Sequence, residues 1–129
     1  LLLGDLPEDE KNLNTADGRP STRAAARNRL ARMICADRET FSDSDAAAAA
    51  GAVARAQLAK LGIAARGILR RFSEPPATIV ISGQGEFLAD RLCERLQLSA
   101  TIVSLCKQLG SVVSQAAAAH ALAVLAQEE

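Results

Sequence analysis

Hydrophobic positions along the chain follow two different spacings. Ala26, Leu30, Met33 and Ile34 recur at helical intervals, and so do Ala54, Leu58, Leu61, Ala65, Ile68 and Phe72 further on. The pattern then contracts into two short continuous apolar runs, at 77–82 and 100–103. Between them lies a stretch whose Phe87, Leu88, Leu92 and Leu96 return to helical spacing. This order predicts two helices, then a strand–helix–strand unit, then further helix. Ser21 or Thr22 suits the cap of the first helix, with Arg23, Arg27 and Arg32 toward its other side. Those arginines read as a wet face, with contact to an anionic ligand or an acidic partner surface as the alternative. Ser42-Asp43-Ser44-Asp45 opens the second helix with cap residues and carboxylates that favour its positive end. It is expected to reach about Phe72 before Pro75-Pro76 stops it. Gly51, Gly62 and Gly67 weaken it, marking close packing or a kink near Gly62.

The apolar run at 77–82 is the type buried on both faces of a parallel sheet. With the helix at 86–96 and the run at 100–103 it makes a right-handed β-α-β unit. Ser104 is placed to cap a short turn at 105–109 that Gly110 ends. One last helix is expected from Ser111 to Gln127. Its smooth Ala116–Ala119 centre would pack closely against the sheet or the long helix, and His120 would be packed or hydrogen-bonded there. The layout is a loop over 1–21, a helical region over 22–73, and the β-α-β unit plus terminal helix over 77–129. Two short parallel strands are little sheet to stand alone. Further strands are therefore expected from missing chain or from another copy, and the sequence reads as the C-terminal portion of a larger α/β protein.

Composition narrows the function classes. With 49% hydrophobic residues in 129, a core is available. Fifteen basic residues balance fifteen acidic ones, and Trp and Tyr are absent, which weighs against a nucleic-acid partner. The apolar stretches are too short or alanine-rich for a membrane span, and no signal peptide is legible at Leu1-Leu2-Leu3-Gly4. Cys35, Cys93 and Cys106 form no CxxC pair. They read as small buried hydrophobes in a reducing cytoplasm rather than as a disulfide framework or zinc site.

Candidate chemistry centres on Ser82-Gly83-Gln84-Gly85-Glu86, where the first strand turns into a helix. Ligands of open α/β sheets sit outside the carboxyl ends of strands at such turns. The stretch is neither a GxSxG elbow nor a Walker loop, and GxGxxG is incomplete. Glu86 in the first helical turn repels phosphate, so the turn suits a ribose hydroxyl or an adenine ring. The equal alternative is that Glu86 merely caps the helix, with Gly83 and Gly85 serving tight packing. Asp17 and Arg19, in Thr15-Ala16-Asp17-Gly18-Arg19-Pro20, are secondary candidates for a cleft rim.

Leu3-Gly4-Asp5-Leu6-Pro7-Glu8, Thr15-Ala16-Asp17-Gly18-Arg19-Pro20, Arg29-Leu30-Ala31-Arg32-Met33, Ile81-Ser82-Gly83-Gln84-Gly85-Glu86-Phe87-Leu88-Ala89 and Val103-Ser104-Leu105 together give the chain a family likeness. It resembles the tetrahydromethanopterin-linked one-carbon transfer pathway proteins, relatives of hydantoinase A with the sugar kinase/Hsp70/actin type of fold. The likeness covers the C-terminal portion of such a protein. It implies an α/β, helix-rich partial ribonuclease H-like (actin-like ATPase) lobe, with nucleotide or phosphorylated small-molecule substrate held between two lobes. It implies a transferase of methanofuran-type cofactor biosynthesis, with ATP and magnesium in the full-length protein. Ser82, Gly83, Gln84, Gly85 and Glu86 would form the nucleotide- or substrate-side turn. The phosphate loops and metal-binding Asp residues would lie in the N-terminal half, so this portion would be inactive alone. The competing expectations are a non-catalytic interaction or regulatory domain, and a small helical assembly protein in which 77–103 is not stranded.

Overall fold

The computed structural model describes residues 1–128. It is a mixed α/β, helix-rich chain, 55% helical, with one short parallel pair of strands among the described residues. The chain divides into two units, Leu1–Gln57 and Leu58–Glu129. Position 129, the end of the expected third region, lies outside the described residues.

In the first unit, the polar opening is pinned by an isolated antiparallel bridge between Asp9 and Ser21. Helix α1 (Arg23–Met33) follows, with Thr22 as its N-cap and the Thr22 side chain accepting from Ala25 N–H. Helix α2 (Asp43–Leu69) starts from a reciprocal cap. Asp45 N–H donates to Ser42 Oγ at 3.1 Å, and Ser42 N–H donates to the Asp45 carboxylate at 2.9 Å. Between the helices, the Asp37 carboxylate accepts from Glu39 N–H and from both the N–H and hydroxyl of Thr40. That knot turns Phe41 inward, where it is buried with Ala31 and Ala46 against Leu2, Leu30, Ala36 and Ala49.

The inward face of α1 therefore differs from the expected stripe. Ala25 and Ala31 are buried, whereas Met33 and Ile34 are exposed. Small residues face the core because Phe41 fills the space a larger side chain would need. The arginines are not simply wet either: Arg23 pairs with Glu8, Arg27 with Asp43, and Arg29 and Arg32 with Asp17. Helix α2 ends at Leu69, before the expected Phe72, and both Ile68 and Phe72 are exposed. Gly62 is buried inside an uninterrupted helix, so it marks packing rather than a break.

In the second unit, strand β1 (Thr78–Ile81) pairs in parallel with β2 (Thr101–Ser104), with Thr78 opposite Thr101 and Ile81 opposite Ser104. The crossover helix α3 (Glu86–Leu96) packs on β1. The stranded pair overturns the all-helical reading. The sheet is covered only in part, as expected of two strands with these helices alone: Ile81 is buried but Val80 is 58% exposed. Strand pairing satisfies the backbone along the shared edge only, and Val80 on the second face stays exposed.

Helices α4 (Leu105–Leu109), α5 (Ser111–Gln115) and α6 (Ala117–Glu128) complete the unit. Ser104 caps α4 by accepting from Lys107 N–H, and Gly110 ends it at φ 85°. The single terminal helix expected from 111 to 127 is in fact two, separated at Ala116. The first is held by the buried Ser114. Ala116 at the break is exposed, and the second helix exposes Ala118 and Ala119 instead of packing them closely and half-buries His120. Cysteine burial also departs from expectation: Cys35 and Cys106 are exposed and only Cys93 is half-buried. Cys35 takes the left-handed conformation just past α1, at φ 56°, where the chain turns away from the core. Burial, then the neighbouring Asp90 charge, pushes the Cys93 thiol up from its ordinary value. Among the described residues, no helix is long and apolar enough to cross a membrane.

Candidate functional site

The turn between β1 and α3 is built from the backbone outward. At Ile81 the strand ends, and Gly83 reverses the chain at φ 91°. A side chain there would strain the backbone, so glycine is required by conformation. Gly85 is different. It is the N-cap of α3 at φ −96°, which any residue adopts, and a Cβ added there would meet no atom within 4 Å. Tight packing within the chain therefore accounts for neither glycine. No side chain caps α3 at Gly85, so the helix end opens outward. Ser82, Gln84 and Gly85 are exposed, and Gly83 and Glu86 are half-buried.

Glu86 faces into the unit. Its Oε1 accepts from Ser114 Oγ at 2.5 Å and from Cys106 N–H at 2.9 Å, and its Oε2 accepts from Ser104 Oγ. Ser114 Oγ also accepts from Gly83 N–H at 2.8 Å. One carboxylate thus ties the start of α3 to the start of α4 and to α5. The Ser104 hydrogen bond, then that of Ser114, hold the Glu86 carboxyl below its ordinary value against the opposing effect of burial. Cys106 N–H and the Lys107 charge add to the lowering. Glu86 is the cap of a neighbouring helix as well as a first-turn residue of its own. A carboxylate has about four acceptor positions, so one on Oε2 is left over.

Asp17 and Arg19 belong to the first unit. The Asp17 carboxylate accepts from Arg29 at 2.9 Å, from Arg32, and from Arg19 N–H at 3.3 Å. Arg19 keeps an exposed side chain, its Nε 4.0 Å from Asp17, and its carbonyl accepts from Thr15 Oγ1 at 2.6 Å. Partial burial raises the Asp17 carboxyl, but the Arg29 and Arg32 hydrogen bonds outweigh it and hold the group at about 2, below the usual 3.8. Asp17 is thereby the post that fastens the 15–20 loop to α1.

Because the folded value lies below the unfolded one, this fastening is complete above about pH 3.8 and is lost as pH falls toward 2. Hydrogen exchange is the check. Asp17→Asn should speed exchange at Gly18 and Arg19 several-fold at neutral pH and remove the acid-dependent step that the unaltered chain shows.

Sequence reasoning singled out Glu86 but missed Ser114 and Ser104 as its partners. Ser104 carried a signal as the helix cap; Ser114 carried none, being one serine in an alanine-rich segment. Among the described residues, no three His, Cys, Asp or Glu side chains come together as a metal site would require. No protein-family model, no curated protein and no solved structure matches this chain.

Proposed function

We propose that the chain is the ligand-side part of a two-lobed enzyme of the sugar kinase/Hsp70/actin type. In this reading the enzyme is related to hydantoinase A and acts as a transferase of methanofuran-type cofactor biosynthesis in one-carbon metabolism. The observation that carries the reading is the exposed Gly85 at the N-cap of α3: with no capping side chain and open space around it, the helix end is accessible at the carboxyl end of a parallel strand. The half-uncovered sheet supports a lobe completed by further strands, from an N-terminal half or another copy.

The open turn fits an adenosine-like group: flat ring against the Gly83–Gly85 backbone, hydroxyls toward Ser82, Gln84 and the remaining Glu86 acceptor. Glu86 then acts mainly by holding the turn rigid. Magnesium fits less well, because the described residues supply no cluster of ligands for it, and no step is derived through the metal.

The test is titration calorimetry of the full-length protein with ATP and magnesium. Gly85→Val should weaken binding about tenfold or more, with the circular dichroism spectrum unchanged. Undiminished affinity in the folded variant overturns the reading. The exposed Val112, Leu122 and Leu125 of α5 and α6 favour a second reading, a non-catalytic interaction domain, in which nucleotide does not bind at all.

A further inference from the structure

The first unit holds a cleft of about 570 Å³, bordered by Leu2, Glu8, Arg23, Arg27, Arg38 and Asp43. It is independent of the glycine turn. Leu2, Ala24 and Ala47 contribute the apolar part of its lining. Its rim is cationic, with three guanidinium groups against two carboxylates. Each arginine has a different standing. Arg23 lies 3.8 Å from Glu8 through Nε, with both side chains about half-exposed. Arg27 is only 17% exposed and gives Nη1 to Asp43 at 2.7 Å. Its Nε is buried and meets no acceptor among the described residues. Arg38 has no ion pair or hydrogen bond among the described residues, and it also borders a second cleft of about 260 Å³ with Arg19 and Arg32.

The backbone adds to this field. At the start of α1, Arg23 N–H donates to Glu8, Ala25 N–H to Thr22 Oγ1 and Ala26 N–H to the Thr22 carbonyl. Ala24 N–H, at the cleft wall, is left with no acceptor among the described residues. The start of α2 also borders the cleft through Asp43 and Ala47. There the Asp45 carboxylate is already engaged by the Ser42 N–H and hydroxyl.

We propose that this cleft binds a small organic oxyanion, a phosphate ester or a carboxylate. Arg38 and the Ala24 N–H supply the donors, and the ligand's apolar part lies on Leu2, Ala24 and Ala47. A guanidinium fork with no partner fits either anion in two parallel hydrogen bonds. The volume exceeds what a bare inorganic ion fills, and the apolar part of the lining favours a ligand with a hydrocarbon portion. Glu8 is the internal competitor. Its carboxylate already sits on the first N–H of α1 and beside Arg23, so it stands in for part of the ligand's charge.

The experiment follows backbone amide and arginine Nε–H signals by NMR at constant ionic strength. The probes are phenyl phosphate, benzoate and the uncharged benzyl alcohol. At least one anion should shift Ala24 and Arg38 saturably while benzyl alcohol does not; which anion does so identifies the head group. Arg38→Gln, at a surface position that leaves the core untouched, should weaken binding about tenfold or more, since it removes the paired charge-assisted hydrogen bonds of the guanidinium fork. Glu8→Gln keeps the hydrogen-bond acceptor, removes the competing charge and should tighten binding several-fold. Absence of saturable shifts with both anions, equal response to benzyl alcohol, or unaltered affinity in Arg38→Gln overturns the proposal.

Discussion

Replacing Phe41 with alanine should cost the first unit about 3–5 kcal/mol, the usual range for a buried aromatic cut to a methyl group. Phe41 is 5% exposed and the other buried hydrophobic residues of that unit are alanines: Ala25, Ala31 and Ala46. One ring thus contributes most of the large apolar surface removed from water, and alanines cannot close the space it leaves. Since a domain keeps only about 5–15 kcal/mol of net stability, a loss of this size is a large fraction of the total. Phe41→Leu, which retains most of the volume, should recover the greater part. Urea titration followed through the amide signals of residues 1–57 is the check. A shift of less than about 1 kcal/mol for Phe41→Ala would mean that the ring is not the centre of this core.

Ser114→Ala should have the second largest effect, and it acts through polar groups. Ser114 is 2% exposed, and its hydroxyl stands between Gly83 N–H and the Glu86 carboxylate. Removing it leaves the half-buried Gly83 N–H without that acceptor, which costs about 1 kcal/mol, the lower end of the range for an orphaned donor. The Glu86 carboxyl loses one of the donors that lower it, so its titration should move back up toward 4.5. The sign follows from linkage. A carboxyl lowered on folding stabilises the fold above its unfolded value and ceases to do so as the pH drops through the folded one. The variant should therefore lose less stability on acidification than the unaltered chain while being weaker at neutral pH. Carbonyl-detected NMR titration of Glu86 reads the shift, and an unmoved Glu86 would show that Ser114 is not its donor. Because the same network holds the Gly83 turn, the exposed Ser82 and Gln84 should also become more mobile in Ser114→Ala.

Elements whose limits are set by neighbouring residues are legible in the sequence. Helix α3 spans Glu86–Leu96 as the pattern predicts, and α4 runs from its Ser104 cap to the Gly110 stop. Caps, glycine stops and the Pro75-Pro76 break act over a few residues, so the chain carries them in plain order. The candidate turn was legible for the same reason: a β-branched run followed by two glycines is a local statement.

Faces were less legible, because burial depends on what arrives from elsewhere. Met33 and Ile34 continue the helical stripe of α1 yet are exposed, since the core is organised by Phe41, a residue outside any amphipathic pattern. The strand Thr78–Ile81 is apolar throughout, but its periodicity says nothing of whether a second layer exists to cover Val80. In the alanine-rich tail no period distinguishes one face from another, so neither the break at Ala116 nor the burial of Ser114 had a local signal.

Secondary structure, the parallel pairing of two short strands and the position of the glycine turn were thus written in the order of residues, through short-range sterics and capping. The partners of Glu86, the fastening of Asp17 by Arg29 and Arg32, and the cationic cleft around Arg38 required the folded chain. The first two join residues more than ten positions apart by hydrogen bonds, and the cleft gathers residues from Leu2 to Ala47; such groups meet only once packing has brought them together.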